Sequence, residues 1–153
     1  MVNLFSAFLI IHITAGSICL FTGAIAAGAS KRRGIHTIAG EVYHGGYVVV
    51  CITSVAMAFL NWSESAYLFY IALFSYGLAL LGNVAQKKKW RNHVKLHIGG
   101  MLGSYIGIIT AVLVVNAAKL PILADLPVLL LWFLPTIIGT PFIVITGNRY
   151  VSR

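Results

Sequence analysis

The sequence predicts an all-α, polytopic membrane bundle of five transmembrane helices, with the N-terminus outside and the C-terminus in the cytoplasm. Three observations predict it. Charged residues make up 9% of the chain against 59% hydrophobic ones, five apolar stretches have the length of a membrane crossing, and Lys and Arg gather in alternate connections. A soluble domain averages roughly a quarter charged residues, so this chain has too little polar surface to face water on all sides. Its expected solvent is lipid. The reading is a multi-pass protein of the plasma (inner) membrane, organised as a single helical domain over residues 1–153.

A crossing needs about 20 mainly apolar residues, because the hydrocarbon core is about 30 Å thick and a helix rises about 1.5 Å per residue. The first candidate is Leu4–Ala27. No cation precedes it and Lys31, Arg32 and Arg33 follow it, the reverse of a secretory signal, so it reads as a retained helix. The others run over Gly40–Trp62, Ala66–Val84, Ile98–Ala118 and Val128–Thr146. Spanning β-strands would alternate apolar and polar residues, and these runs do not. The last stretch carries Pro135 and Pro141, each of which removes a backbone donor and favours a kink.

The connections are Ser30–Ile38, Asn61–Ser65, Ala85–Lys95 and Lys119–Pro127, short enough to make successive helices antiparallel neighbours. Of the 11 Lys and Arg, all but Lys119 fall in the first and third connections or the tail, at Lys31, Arg32, Arg33, Lys87, Lys88, Lys89, Arg91, Lys95, Arg149 and Arg153. An excess of Lys and Arg marks the cytoplasmic side, which sets the orientation. Trp62 and Tyr67 flank the outer side, Trp90 and Tyr150 the inner, where an aromatic belt belongs. The net charge of +8 therefore reads as a topology signal, and a nucleic-acid partner is not expected. The expected partner is the lipid bilayer, with self-association into a homo-oligomer left open.

Small residues mark candidate packing seams, since close backbone approach drives helix association in lipid. Gly99, Gly103 and Gly107 line one side of the fourth stretch, and His12, Gly16, Cys19, Gly23 and Ala27 one side of the first. Cys19 and Cys51 both lie inside apolar runs without metal-site or redox spacing, and read as small buried thiols.

Five histidines carry the chemical interest. His12 lies about two turns into the first helix, and an ionisable group at that depth usually faces the bundle interior. It reads either as a neutral imidazole bonded across a seam or as a haem ligand, metal ligand or proton relay. On the second helix His36, Gly40, His44, Tyr47 and Cys51 share one broad face, with Tyr43 and Glu41 beside them. Glu41 can pair with the basic connection or orient a histidine. On the fourth helix His93, His97, Met101 and Tyr105 recur every four residues, a spacing that lets two histidines grip one metal, with Met101 as a soft ligand or a gap-filler. Four of the histidines belong to the expected cytoplasmic half, so His44 and His97 are placed to clasp one cofactor, haem b or a transition metal. No hydrolase or transferase signature occurs.

Several of these motifs together resemble the small, mostly bacterial membrane proteins grouped as domain of unknown function 2306. The resemblance covers nearly the whole chain: His-Ile-Thr-Ala-Gly at 12–16, the basic loop followed by His36, Gly40 and Tyr43, Phe74-Ser-Tyr-Gly-Leu with Gly82, His97 with Met101, Ser104 and Tyr105, and Gly139-Thr-Pro ahead of Arg149-Tyr150. It implies a histidine-marked helical bundle without an assigned reaction, with the marked positions at His12, His36 and His97. His44 and His93 stand outside that pattern. The leading expectation is a haem- or metal-binding membrane protein of electron transfer. The alternatives are a small-solute or proton transporter with His12 on its path, and an accessory protein that docks a membrane partner.

Overall fold

The computed structural model describes residues 3–31, 34–119 and 121–151. Arg32, Arg33 and Arg153 of the basic signal lie outside them. In order the elements are α1 (Leu4–Gly28), α2 (Ile35–Leu60), α3 (Trp62–Lys88), α4 (His93–Asn116), a 3-10 turn (Ala117–Lys119), the single turn α5 (Pro121–Ala124) and α6 (Val128–Val151). No strand occurs among the described residues. Five helices are long and apolar enough to cross a membrane, the fifth over Val128–Tyr150, a make-up compatible with an integral membrane protein.

The helices outrun the apolar stretches, most of all toward the basic connections. α2 begins at Ile35 rather than Gly40, and α3 runs to Lys88 rather than Val84. Apolar run length reports the thickness of a hydrocarbon layer. A helix of 24 to 27 residues is about 36–40 Å long, so its polar ends project past a core of about 30 Å.

The helix ends have identifiable causes. Asn3 caps α1 by accepting from the Ser6 amide at 2.7 Å. Asn61 alone separates α2 from α3: its amide closes on the Met57 carbonyl, its own carbonyl accepts from Ser65, and its side chain donates to Glu64 at 3.0 Å. Glu64 thus sits in the first turn of α3, where the helix dipole favours an anion. At the other end of α3, Lys89 turns left-handed (φ 53°) and the Trp90 amide bonds back to Ala85 at 3.2 Å. That six-to-one bond is a Schellman stop with lysine in glycine's usual place.

The chain divides into two compact units, Met1–Leu80 and Leu81–Arg153. In the first, α1 packs along α2, and α2 bonds to the first part of α3. In the second, α6 packs along α4, and the end of α3 meets α4 at Gly82.

Within each unit the usual arrangement of a soluble core is inverted. Most buried positions are small or polar, among them Ala15, Cys19, Ala58, Ser75, Ala79, Ser104 and Thr110, beside the larger Tyr43, Tyr47, Met57, Ile108 and Leu131. Large apolar side chains such as Ile10, Phe21, Phe74, Leu129, Phe142 and Ile145 are exposed. Hydroxyls on the exposed face of α1 turn back on their own helix, Thr14 to Ile10 and Thr22 to Ile18, so no hydroxyl there needs water.

The seams follow the expected lines at Cys19, Tyr47 and Cys51 and fall one residue aside from Gly16, Gly40 and Gly99. On α1 the packed positions are Ala15 and Cys19, while a Cβ at Gly16 would meet nothing. On α2 they are Ala39, Tyr43, Tyr47, Cys51, Ser54 and Ala58, with Gly40 open. On α4 they are Gly100, Ser104 and Ile108, with Gly99 open. Both α6 prolines lie within its helix; Pro135 is buried and Pro141 exposed.

Candidate functional site along the first three helices

The first unit carries a series of polar side chains down the α1–α2 and α2–α3 seams. At its outer-end level (following the sequence orientation) stands His12. Its Nδ1 is 3.0 Å from Thr53 Oγ1 and 3.4 Å from Ser54 Oγ. The Thr53 hydroxyl donates to the carbonyl of Val49 at 2.8 Å or Val50 at 3.0 Å. A hydroxyl has one proton to give, so with that proton on its own helix the Thr53 oxygen accepts from His12 Nδ1–H, and in that tautomer the lone pair lies on Nε2. The His12 ring also hydrogen-bonds the Val50 backbone. The sequence offered a neutral seam imidazole beside sharper readings; the contacts supply that seam, and leave one basic nitrogen.

Deeper along α2 come the tyrosines. Tyr47 hydrogen-bonds the side chain of Ser75 on α3. Its ring meets Tyr43 edge-on at 5.4 Å and lies 6.4 Å from Tyr76. His44 stacks on Tyr76 at 6.0 Å. Tyr43 is fully buried, and its carbonyl accepts from Cys19 Sγ at 3.4 Å. Cys51 Sγ points the other way, 3.8 Å from the Ala72 carbonyl. Both thiols are free and buried, and they serve different seams. Gly46 makes the approach of α1 possible, since a Cβ there would stand 2.7 Å from Cys19 Sγ.

At the opposite end of this series His36 and Lys31 close off α1. His36 Nδ1 donates to the Ala26 carbonyl at 2.8 Å, and Lys31 Nζ donates to Ala26 at 3.0 Å and Ala27 at 2.8 Å. These are carbonyls that a helix end leaves without amide partners, and cations are favoured beside them. Partial burial draws the Lys31 ammonium below the ordinary lysine range.

Along α2, His36, His44 and Thr53, which marks the level of His12, are spaced by about 12–14 Å. Each imidazole has a different neighbour, so the histidines of this unit form separate rungs rather than a cluster. Among the described residues no three His, Cys, Asp or Glu gather closely enough to hold a metal ion. Glu41 lies on an exposed part of α2.

The second unit holds the other expected ligands. His93 Nδ1 donates to the Trp90 carbonyl at 3.2 Å, a local bond at the start of α4. His97 Nδ1 donates across to the Gly82 carbonyl of α3 at 3.0 Å. A Cβ at Gly82 would lie 3.0 Å from the Met101 amide nitrogen, 3.1 Å from the His97 carbonyl and 3.2 Å from Met101 Cγ. The Met101 side chain thus lies beside Gly82, as a gap-filling thioether would. Tyr105 is half-buried one turn further on. His44 and His97 belong to different units.

Sequence reasoning missed Thr53 and Ser54 and met Ser75 and Tyr76 only within the Phe74-Ser-Tyr-Gly-Leu motif, without the roles that make His12, Tyr47 and His44 into a series. The available signal was isolated hydroxyls inside apolar runs, where each needs a partner. No family model matches the chain, and no curated protein or solved structure shows significant similarity to it.

Proposed function

We propose that the chain is an integral membrane protein whose first three helices form a proton-transfer path, with His12 at one end and His36 at the other. The observation that carries this reading is the series of protonatable side chains on successive levels: His12 with Thr53 and Ser54, Tyr47 with Ser75, His44 with Tyr76, then His36 with Lys31. From Thr53 to His36 it covers 17 residues of α2 by numbering, about 25 Å along the helix, with His36 in the polar end that precedes the apolar stretch. Ionisable groups at such depth are costly and are kept for relays and ion paths.

His12 takes a proton on one ring nitrogen and releases one from the other to water in the seam, while Thr53 holds the ring in place. Gaps between rungs are crossed through water. The test uses protein reconstituted into vesicles holding a pH-sensitive dye, with a potassium-diffusion potential as the driving force. Wild-type vesicles should change internal pH faster than empty ones, and His12→Ala and Tyr47→Phe should each slow the change at least several-fold. Wild-type vesicles no faster than empty ones would end this reading.

A second reading, haem b or a transition metal for electron transfer, draws on a different observation. The Nδ1–H of His36 and of His97 is given to a backbone carbonyl, which leaves Nε2 as the basic nitrogen and fixes the ring, the preparation that ligating histidines usually receive. His36 in the first unit and His97 in the second are each, by themselves, candidate ligands for such a group, which would supply one-electron chemistry when bound. These are also two of the three positions marked by the resemblance to domain of unknown function 2306, a group without an assigned reaction. Colourless protein purified from haem-replete cells, with no bound metal by mass spectrometry, would remove it.

A further inference from the structure

We infer that the turn joining α3 to α4 binds the anionic headgroup of a phospholipid in the surrounding bilayer, with Lys88, Lys89, Arg91 and Lys95 around its phosphate. This rests on the membrane reading and not on the proton path. Residues 87–95 contain Lys87, Lys88, Lys89, Arg91 and Lys95, five cations within about two helical turns of chain length. Lys88 ends α3 and Lys95 lies in the first turn of α4, so both are held on helices, while Lys89 and Arg91 sit in the four-residue turn Lys89–Asn92. All four proposed contacts are exposed.

The turn is held tightly. Lys89 (φ 53°) and Asn92 (φ 62°) are both left-handed, a conformation that L side chains adopt at a cost of roughly 1–2 kcal/mol each. The His93 amide and Nδ1 both close on the Trp90 carbonyl, at 2.9 and 3.2 Å. Such strain persists where the surroundings fix it, and ligand clamps are one such place. Here it holds the short segment that carries Lys88, Lys89, Arg91 and Lys95.

Counter-charge is lacking in the second unit. Its one carboxylate in the sequence, Asp125, follows α4, whose 24 residues place it about 36 Å away along the helix. Trp90 beside the cations is 43% exposed, and tryptophan settles at the headgroup level of a bilayer. A phosphodiester at that level meets all four cations, and each cation near a surface attracts anionic lipid by about five-fold in binding. A zwitterionic headgroup brings its own ammonium and gains little.

The test offers detergent-purified protein either phosphatidylglycerol or phosphatidylcholine and counts retained lipid by native mass spectrometry. Phosphatidylglycerol should be retained at least ten-fold better, with the preference falling steeply by about 0.5 M salt. The combined variant Lys88→Gln, Lys89→Gln, Arg91→Gln and Lys95→Gln should lose the preference, while Lys88→Arg, Lys89→Arg and Lys95→Arg together should keep it. Equal retention of the two lipids by the wild-type protein overturns the assignment, whether or not the glutamine variant folds. So does a preference that survives in the glutamine variant. Displacement of the lipid by millimolar inorganic phosphate alone would likewise overturn it, by making the site one for a free anion.

Discussion

At the scale of single residues, His12 and its hydroxyl partners carry the sharpest consequence. Thr53 Oγ1 accepts from His12 and donates to its own helix at once, so it uses both capacities of one hydroxyl. Thr53→Val keeps the shape and removes the oxygen. The imidazole then retains the longer contact to Ser54 at 3.4 Å and its bond to the Val50 backbone. Hydrogen bonds between transmembrane helices are worth about 0.6–2 kcal/mol, and Thr53→Val should lower stability by about that much in a detergent unfolding titration. Thr53→Ser preserves the oxygen and gives up one buried methyl, so it should lose no more than about 0.8 kcal/mol and less than Thr53→Val. Equal losses in the two variants would mean that the methyl group, and not the bond, matters. At Lys89 the expected sign is opposite. Lys89→Gly relieves a left-handed lysine at the α3 stop, and should raise stability by about 0.5–1 kcal/mol in the same titration. No gain would show that neighbouring bonds already offset the strain.

At the scale of elements, two glycines hold helix pairs together in different ways, and the difference can be measured. At Gly82 the atoms in the path of a new Cβ include backbone, the Met101 nitrogen at 3.0 Å and the His97 oxygen at 3.1 Å. At Gly139 they are side-chain atoms of Ile106, with Cγ1 at 2.7 Å and Cδ1 nearer still. Overpacking typically costs about 1–3 kcal/mol, so Gly82→Ala and Gly139→Ala should both destabilise. Only the second should be rescued by trimming its neighbour: Gly139→Ala with Ile106→Ala should lose less than the two single losses added, whereas Met101→Ala should not rescue Gly82→Ala. Additive losses at Gly139 would mean that α4 and α6 do not meet there. Neither glycine stood out in the sequence as a seam. The existence and order of the five long helices were legible because hydrocarbon thickness sets a run length that composition records directly. Which side of each helix packs was not legible, because lipid and neighbouring helix are equally apolar and leave no contrast to read. The guesses from glycine spacing therefore missed by one position at Gly16, Gly40 and Gly99 but found Cys19, Tyr47 and Cys51. Of the site, the histidines were visible as residues, and their partners were not, since His12 and Thr53 are 41 positions apart and no local pattern links them.

At the scale of the molecule, large apolar side chains outside and mostly small or polar ones inside fit a protein whose surroundings are lipid, and the distribution of charge then sets its direction. Lys31 follows α1, Lys87 to Lys95 join α3 to α4, and Arg149 ends α6. Glu64 begins α3, while Lys119 and Asp125 follow α4. The sequence reading of five alternating crossings expects the first set on one side and the second on the other. Positively charged connections stay in the cytoplasm because moving them across costs energy against the membrane potential, while acids contribute little to the choice. A reporter active only in the cytoplasm should therefore work when fused after Lys89 or after Arg149 and fail after Ser63 or Asp125. A reporter active only outside should give the complementary pattern. Replacing Lys87, Lys88, Lys89, Arg91 and Lys95 by Gln leaves Lys31 and the arginines near it as the main signal. A minor inverted population should then appear, visible as outside-reporter activity after residue 89. A wild-type fusion after Lys89 that reports from outside would reverse the direction of the proposed proton path, placing His12 on the cytoplasmic side and His36 on the far one. The order of rungs along α2 would be unchanged, so vesicle flux would still test the path while reporter activity tests its direction.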